Sequence, residues 1–326
     1  MFNKNDLVYF SQDIQVEPLI NNWYAWLHML PPVTYSFNMV NRYQKIIDSY
    51  ILAPKMHATA VKNPAMRGGP FMDIDEQYMD HVKQLKSDTE TDLNRAKALT
   101  DSILKANCLL KEQARGYSMT ALYEQIPENL RGYVELYYDL NHIPSFRVFE
   151  SLLYKSDFYS SAPQSVSLSV IQNDTDRPFI LSTPRFANKE TLNLPISFDH
   201  SGLDDLFKMK FEKKPISFIE EALGVDFDNE SRQFFHSLFT QKPPKKYQQY
   251  EGSSVRVRYF GHACILVETA EISVLVDPVL SYTYDADVPR YTYEDLPEEI
   301  DYILVTHAHQ DHILIETLIQ LRHKTK

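Results

Sequence analysis

The sequence predicts an α/β fold, and three stretches carry that expectation. Leu93, Ala96, Leu99, Ile103 and Leu110 step mostly by three or four, which marks one face of a long helix. Residues 255–260 alternate with period two, and 264–268, 272–276 and 302–305 are short apolar runs, so this part of the chain reads as a sheet. The last of these strands runs into His307-Ala-His309-Gln-Asp311-His312, after which Ile315, Leu318 and Ile319 resume helical spacing. A polar turn between a strand and a helix is where α/β scaffolds place their chemistry.

In chain order, residues 17–30 read as a short helix stopped by Pro31 and Pro32, and 37–52 as a second stopped by Pro54. Residues 66–70 form a loop. Asp73 with Glu76 opens an apolar-periodic stretch, and Ser87 with Glu90 has capping-box spacing, restarting a helix that runs to Gln113. Helices are expected over 122–126, 128–140 and 145–154. Residues 165–171 alternate and, with 179–182 and 194–198, suggest a small sheet. Helices return over 203–210, 215–223 (with Gly224 as the stop) and 230–239. Residues 1–242 are thus expected to be a helix-rich α+β domain. Residues 243–254, broken by Pro243 and Pro244 and ending Gly-Ser-Ser, read as a linker. Residues 255–326 read as a second, β-led domain.

Composition narrows the function. At 326 residues with 44% hydrophobic residues, the chain can build two cores. The net charge of -11 argues against a nucleic-acid partner. No apolar run reaches membrane-spanning length and no signal segment opens the chain, so a cytoplasmic protein with no membrane contact is expected. Cys108 and Cys264 lie far apart in apolar runs and are expected as buried thiols. None of the 8 glycines has a phosphate-binding spacing. His28, His57, His81, His142, His200 and His236 stand isolated, without ligand spacing.

The turn after position 306 differs from those isolated histidines. His307 and His309 are two apart, so in extended chain both side chains leave one face and can grip one ion. Asp311 and His312 follow the bend and can address a second ion beside it. Imidazole with carboxylate suits zinc, iron or manganese. Asp277 ends a strand of the same sheet and can support the ligand loop or an imidazole N–H, and His262 is a candidate for the same role.

Phe260-Gly-His-Ala-Cys-Ile-Leu-Val-Glu, then Ile-Ser-Val-Leu-Val-Asp277-Pro, then the His-x-His-x-Asp-His turn resemble the opening of a metallo-β-lactamase-fold domain, an αββα architecture. A long mixed domain ahead of that opening resembles the dinuclear-iron β-hydroxylases of the kind that act in chloramphenicol biosynthesis. That resemblance implies two iron ions that activate dioxygen, with His307 and His309 on one and Asp311 and His312 on the other. It implies hydroxylation of the β-carbon of an amino acid held on a nonribosomal peptide synthetase carrier protein. It also implies a homodimer formed through the N-terminal domain. Further ligands, among them another His or Glu, a bridging Asp and a last His, would come from beyond Lys326, so the sequence is expected to hold the N-terminal part of such an enzyme. Two other readings stay open: a zinc hydrolase of the same superfamily, with two zinc ions in the site, and a non-catalytic binding or dimerisation protein with a remnant metal turn.

Overall fold

In the computed structural model, which describes residues 2–171 and 179–326, the chain divides into two compact units. One comprises Met1–Leu27, Ala162–Arg177 and Arg185–Lys326; the other comprises His28–Ser161 and Pro178–Pro184. Residues 255–326 therefore share a unit with strands from the start and middle of the chain.

Among the described residues, the first unit holds three sheets. Ile14–Ile20 is central in an antiparallel sheet, between Trp23–Tyr24 on one side and Gln164–Val170 on the other, with Thr191–Leu194 beyond. Leu7–Phe10 pairs with Lys214–Pro215 and Phe239–Thr240 in a smaller sheet. The helix expected over 17–30 is absent. Ile14, Val16 and Ile20 favour extended chain, and Asn21 and Asn22 take φ of +49° and +65°, the tight hairpin turn asparagine tolerates best. The strand expected over 194–198 is Thr191–Leu194, ending before Pro195. The small-sheet strand expected over 179–182 is a 3₁₀ turn, Ile180–Ser182. Ser201–Lys208, Ile216–Leu223 and Asn229–Ser237 are helices as expected, and Gly224 closes the second at φ +61°.

The third sheet runs Arg256–Gly261, Cys264–Glu268, Ser273–Val276, Tyr302–Leu304, with the last pair parallel. One face buries Cys264, Leu266 and Leu275 against Tyr282, Tyr293 and Leu296. The residues of 243–254 have no regular secondary structure, yet they are clipped to this sheet. Lys245 Nζ lies 2.6 Å from Asp295, and Tyr247 donates its hydroxyl to Glu268, a buried carboxylate also held by Arg256 and Arg258.

The opposite face is apolar and open. The register aligns Val257, Val267, Val274 and Tyr302 in one row and Tyr259, Ile265, Val276 and Leu304 in the next. Val257, Tyr259, Tyr302 and Leu304 are 62, 62, 59 and 51% exposed, a contiguous patch of the kind that adsorbs apolar partners. A Val257→Lys, Leu304→Glu double variant is expected to lower hydrophobic-dye fluorescence while moving stability by no more than about 0.5 kcal/mol per site. Unchanged dye binding in this chain would locate the adsorbing surface elsewhere.

The helix Ile315–Leu321, which follows the metal turn, is fixed by a buried polar network. Glu316 accepts from Tyr24 at 2.8 Å and Tyr282 at 2.6 Å, and the Tyr282 oxygen accepts from the Val16 amide at 3.0 Å. Gln320 bonds Tyr282 and Tyr293 through Nε2 and accepts from Lys210 Nζ at 3.1 Å. Lys210 is 2% exposed, with its Nζ 5.0–5.7 Å from the ring centres of Tyr293, Tyr282 and Phe10. Burial pushes its amine from 10.5 down to about 7, against the opposing pull of Asp13 and Glu294. Between those values the unfolded chain binds the proton that the folded chain releases. Stability from this group is therefore lowest below about pH 7 and rises toward about pH 10. Lys210→Met should flatten that slope in urea titrations across the window; an unchanged slope would assign it to other groups.

The second unit is helical. Pro32–Asn38 continues through a π turn, Met39–Tyr43, into Gln44–Leu52, and Pro54–Ala60 follows. Met79–Asp88 and Glu90–Gln113 meet at Thr89, so the restart falls there and not at Ser87; the Thr89 hydroxyl donates back to Leu85 O at 2.8 Å. The stripe from Leu99 to Leu110 packs on Leu122, Leu130, Val134 and Leu153. Helices expected over 128–140 and 145–154 are instead a hairpin, Val134–Tyr138 with Pro144–Val148, followed by the short helix Glu150–Leu153. Aromatic and β-branched residues favour the pleated form, and Asp139 Oδ1 closes the turn by accepting from the amides of Asn141 and Ile143. Cys264 is buried, but Cys108 is exposed on the polar side of its helix; both are free thiols.

Candidate metal centre

Three turns meet at one end of the C-terminal sheet. The tight turn after Gly261 carries His262, the end of Ser273–Val276 carries Asp277, and the segment after Tyr302–Leu304 carries residues 306–312. The parallel pairing of the last two strands and the antiparallel pairing of Ile265 with Val276 bring these ends together. His262 and Asp277 take left-handed backbone, φ +48° and +45°, conformations that non-glycine residues adopt at a cost and that cluster at functional sites.

Asp277 is the anchor. Its side chain is 3% exposed, with Oδ1 accepting from the Thr306 amide at 2.8 Å. Oδ2 accepts from the Thr306 hydroxyl at 2.8 Å and from His312 Nδ1 at 2.9 Å. Burial raises the Asp277 pKa, but these bonds together outweigh it and hold the carboxyl below its ordinary range. Stability from Asp277 is thus present above the usual carboxylate pKa and lost as pH falls through its lowered value. With Nδ1 committed as a donor, His312 presents a free Nε2 lone pair.

Thr306 also fixes His307. Its hydroxyl proton goes to Asp277, so its oxygen accepts from His307 Nδ1 at 3.0 Å, which leaves His307 Nε2 as the lone-pair nitrogen. That nitrogen lies 2.8 Å from His309 Nδ1. With His307 Nε2 as the acceptor, His309 Nδ1 donates across this gap, so the two rings meet at hydrogen-bond distance. Asp311 Oδ2 lies 3.1 Å from His262 Nε2 and 3.9 Å from His312 Nε2. Ligand atoms of His262, Asp311 and His312 all fall within 4.8 Å of one another. The bond from Asp311's own backbone, followed by the charges of His312 and His262, lowers the Asp311 pKa. The His307 and His312 rings are 4.1 Å apart between centroids, so the two donor groups are adjacent.

Imidazole and carboxylate are donors suited to divalent transition ions, and His262, Asp311 and His312 stand close enough to converge on one. All six candidate residues come together. Thr306 was not apparent from the sequence, where it is only a hydroxyl residue at a strand end. His262, expected to support the site, stands where it can either orient Asp311 or offer a ligand nitrogen itself.

A family model described as "Diiron non-heme beta-hydroxylase N-terminal domain" matches residues 9–243, and one described as "Beta-lactamase superfamily domain" matches 256–324. The chain is 33% identical over 320 residues to the 4-amino-L-phenylalanyl-[CmlP-peptidyl-carrier-protein] 3-hydroxylase of Streptomyces venezuelae, covering 96% of this chain and 59% of that protein. The crystal structure of CmlA, a diiron beta-hydroxylase from Streptomyces venezuelae, superposes with a TM-score of 0.83 at 31% identity, covering 98% of this chain and 60% of that one. The chain therefore spans about 60% of the length of these relatives. A shorter likeness, 46% over 61 residues, is to a metal-dependent hydrolase of Thermococcus kodakarensis, and it covers 18% of this chain and 24% of that protein. The family match over residues 9–243 and the superfamily match that follows it show that the chain belongs to the diiron non-heme β-hydroxylases, with a metallo-β-lactamase-fold segment at its C-terminal end.

Proposed function

We propose that the chain is part of a dinuclear non-heme iron oxygenase that hydroxylates the β-carbon of an amino acid tethered to a nonribosomal peptide synthetase carrier protein. The observation that carries this reading is the order of the two matches: the β-hydroxylase N-terminal region directly precedes the segment bearing the His-x-His-x-Asp-His turn. The matches leave only 244–255 between them, which supports reading 243–254 as a connector in sequence between 1–242 and 255–326, although residues 1–27 and 185–242 share a compact unit with 255–326.

His307 and His309 would hold one iron, and Asp311 and His312 the other. Bound there, the two ions would supply the redox chemistry that activates dioxygen. The protein's own part is orientation. Asp277 and Thr306 fix the tautomers of His312 and His307 so that both present Nε2, and His262 steadies Asp311. A homodimer and a cytoplasmic location belong to the same reading; no helix among the described residues is long and apolar enough to cross a membrane.

The likeness to metal-dependent hydrolases favours a second reading, a two-zinc hydrolase. It is confined to the C-terminal part, whereas the hydroxylase likeness extends over 96% of the chain. The test is the iron-loaded holoenzyme with an aminoacyl thioester on its carrier protein, a reductant and dioxygen. Mass spectrometry should show one oxygen atom gained at the β-carbon. Release of the amino acid from the carrier without oxygen gain would favour the hydrolase.

A further inference from the structure

We propose that the helical unit carries a binding site for an organic phosphate, separate from the metal turn. The site is a pocket of about 640 Å³ beside the π turn Met39–Tyr43, within the size range of small-molecule pockets. Arg42 and Lys45 line it, and no carboxylate does, although the chain as a whole carries a net charge of -11. Neither cation makes a hydrogen bond or ion pair to any described residue, and neither does the exposed Asn41 amide beside them. The Arg42 Nε–H is shut away from solvent and unmet. A buried donor with no protein acceptor, inside a cationic pocket without a carboxylate, is suited to an anion.

The pocket wall is built rigidly. Phe71 closes it, held in a loop whose Phe71 carbonyl accepts from the Ser182 hydroxyl at 2.7 Å. The next amide, Met72 N, donates to the buried His57 at 2.9 Å, and the His57 ring meets Phe71 edge-on at 5.5 Å. Gly69 is required here, because a Cβ would lie 2.9 Å from Met66 O and 3.0 Å from the Phe71 ring. The π turn adds a residue to the helix and so re-aims Arg42 and Lys45 relative to a regular α-helix, a distortion common at functional sites.

The chemistry follows from the donors. A guanidinium, an ammonium and a primary amide offer more N–H groups than the two oxygens of a carboxylate can accept. They match the three oxygens and greater charge of a phosphate. Phe37, Ile46 and Phe71 give the rest of the ligand an apolar wall. A small metabolite bearing a phosphate monoester carries this chemistry, since a phosphodiester has only two free oxygens and one charge.

Isothermal titration of the full chain with phenyl phosphate, benzoate, 4′-phosphopantetheine and pantetheine tests the proposal. At least one phosphate compound should bind, and its partner lacking phosphate should bind at least about tenfold more weakly. Arg42→Gln and Lys45→Ala should each weaken the phosphate compound by about tenfold or more, with circular dichroism unchanged. Lys45 is exposed, so its variant decides the matter if Arg42→Gln fails to fold. Tighter binding of 4′-phosphopantetheine than of phenyl phosphate would show that the apolar wall takes an extended aliphatic ligand, and the reverse order an aromatic one. The proposal is overturned by no phosphate binding, by benzoate binding as tightly as phenyl phosphate, or by variants that bind like the parent.

Discussion

Replacing His307 by alanine should abolish β-hydroxylation by the holoenzyme and strip at least one of its two irons. His307 is exposed, and its side-chain ties, Nδ1 to Thr306 and Nε2 to His309, both lie at the surface, so unfolding free energy should change by no more than about 0.5 kcal/mol. This combination separates a ligand from a structural residue. The carboxylate beneath the site should behave differently. Asp277→Asn keeps a side chain that tolerates φ of +45° but loses the charge that holds His312, and metal affinity should fall about 10–100-fold without being lost. Full activity in the His307→Ala holoenzyme would remove His307 from the centre.

Glu316→Ala should destabilise the unit that contains the metal turn by about 3–5 kcal/mol. Glu316 is 6% exposed and accepts from Tyr24 and Tyr282. Its loss removes the shared carboxylate acceptor of two buried hydroxyls, leaving Tyr282 the longer bond to Val16 O at 3.4 Å, and removes a negative charge that favours the protonated form of the buried Lys210. Tyr282→Phe deletes one donor and should cost less, about 1–3 kcal/mol. Because Glu316 lies on the helix that follows His312, its variant should also loosen the turn, visible as faster amide exchange at residues 306–312. Equal stability of Glu316→Ala and the parent would mean that the network contributes nothing.

The C-terminal sheet was legible because its strands are period-two or continuously apolar and its ligands follow one of them directly. Cys264–Glu268, Ser273–Val276 and Tyr302–Leu304 fall within a residue of the expected ranges. Asp277 could be tied to the histidine turn because it ends a neighbouring strand. Thr306 could not, since its role comes from where the parallel strand pairing places it. The hairpin at Ile14–Tyr24 was missed because its apolar residues also fit a helical face; only Asn21-Asn22 marks the turn. The pairs of aromatic and β-branched residues at 134–148 were likewise read with the wrong period. The Glu316 network joins residues 292 apart in sequence through ordinary tyrosines and a glutamate, a pattern no local spacing announces.

The central claim is a two-iron centre at residues 307–312, and metal analysis of the holoenzyme together with its optical spectrum tests it most directly. Two irons per chain and an absorption band of oxo-bridged iron are expected, with loss of both signals in His307→Ala. Two zinc ions per chain, with no iron and no such band after growth in iron-replete medium, would contradict it.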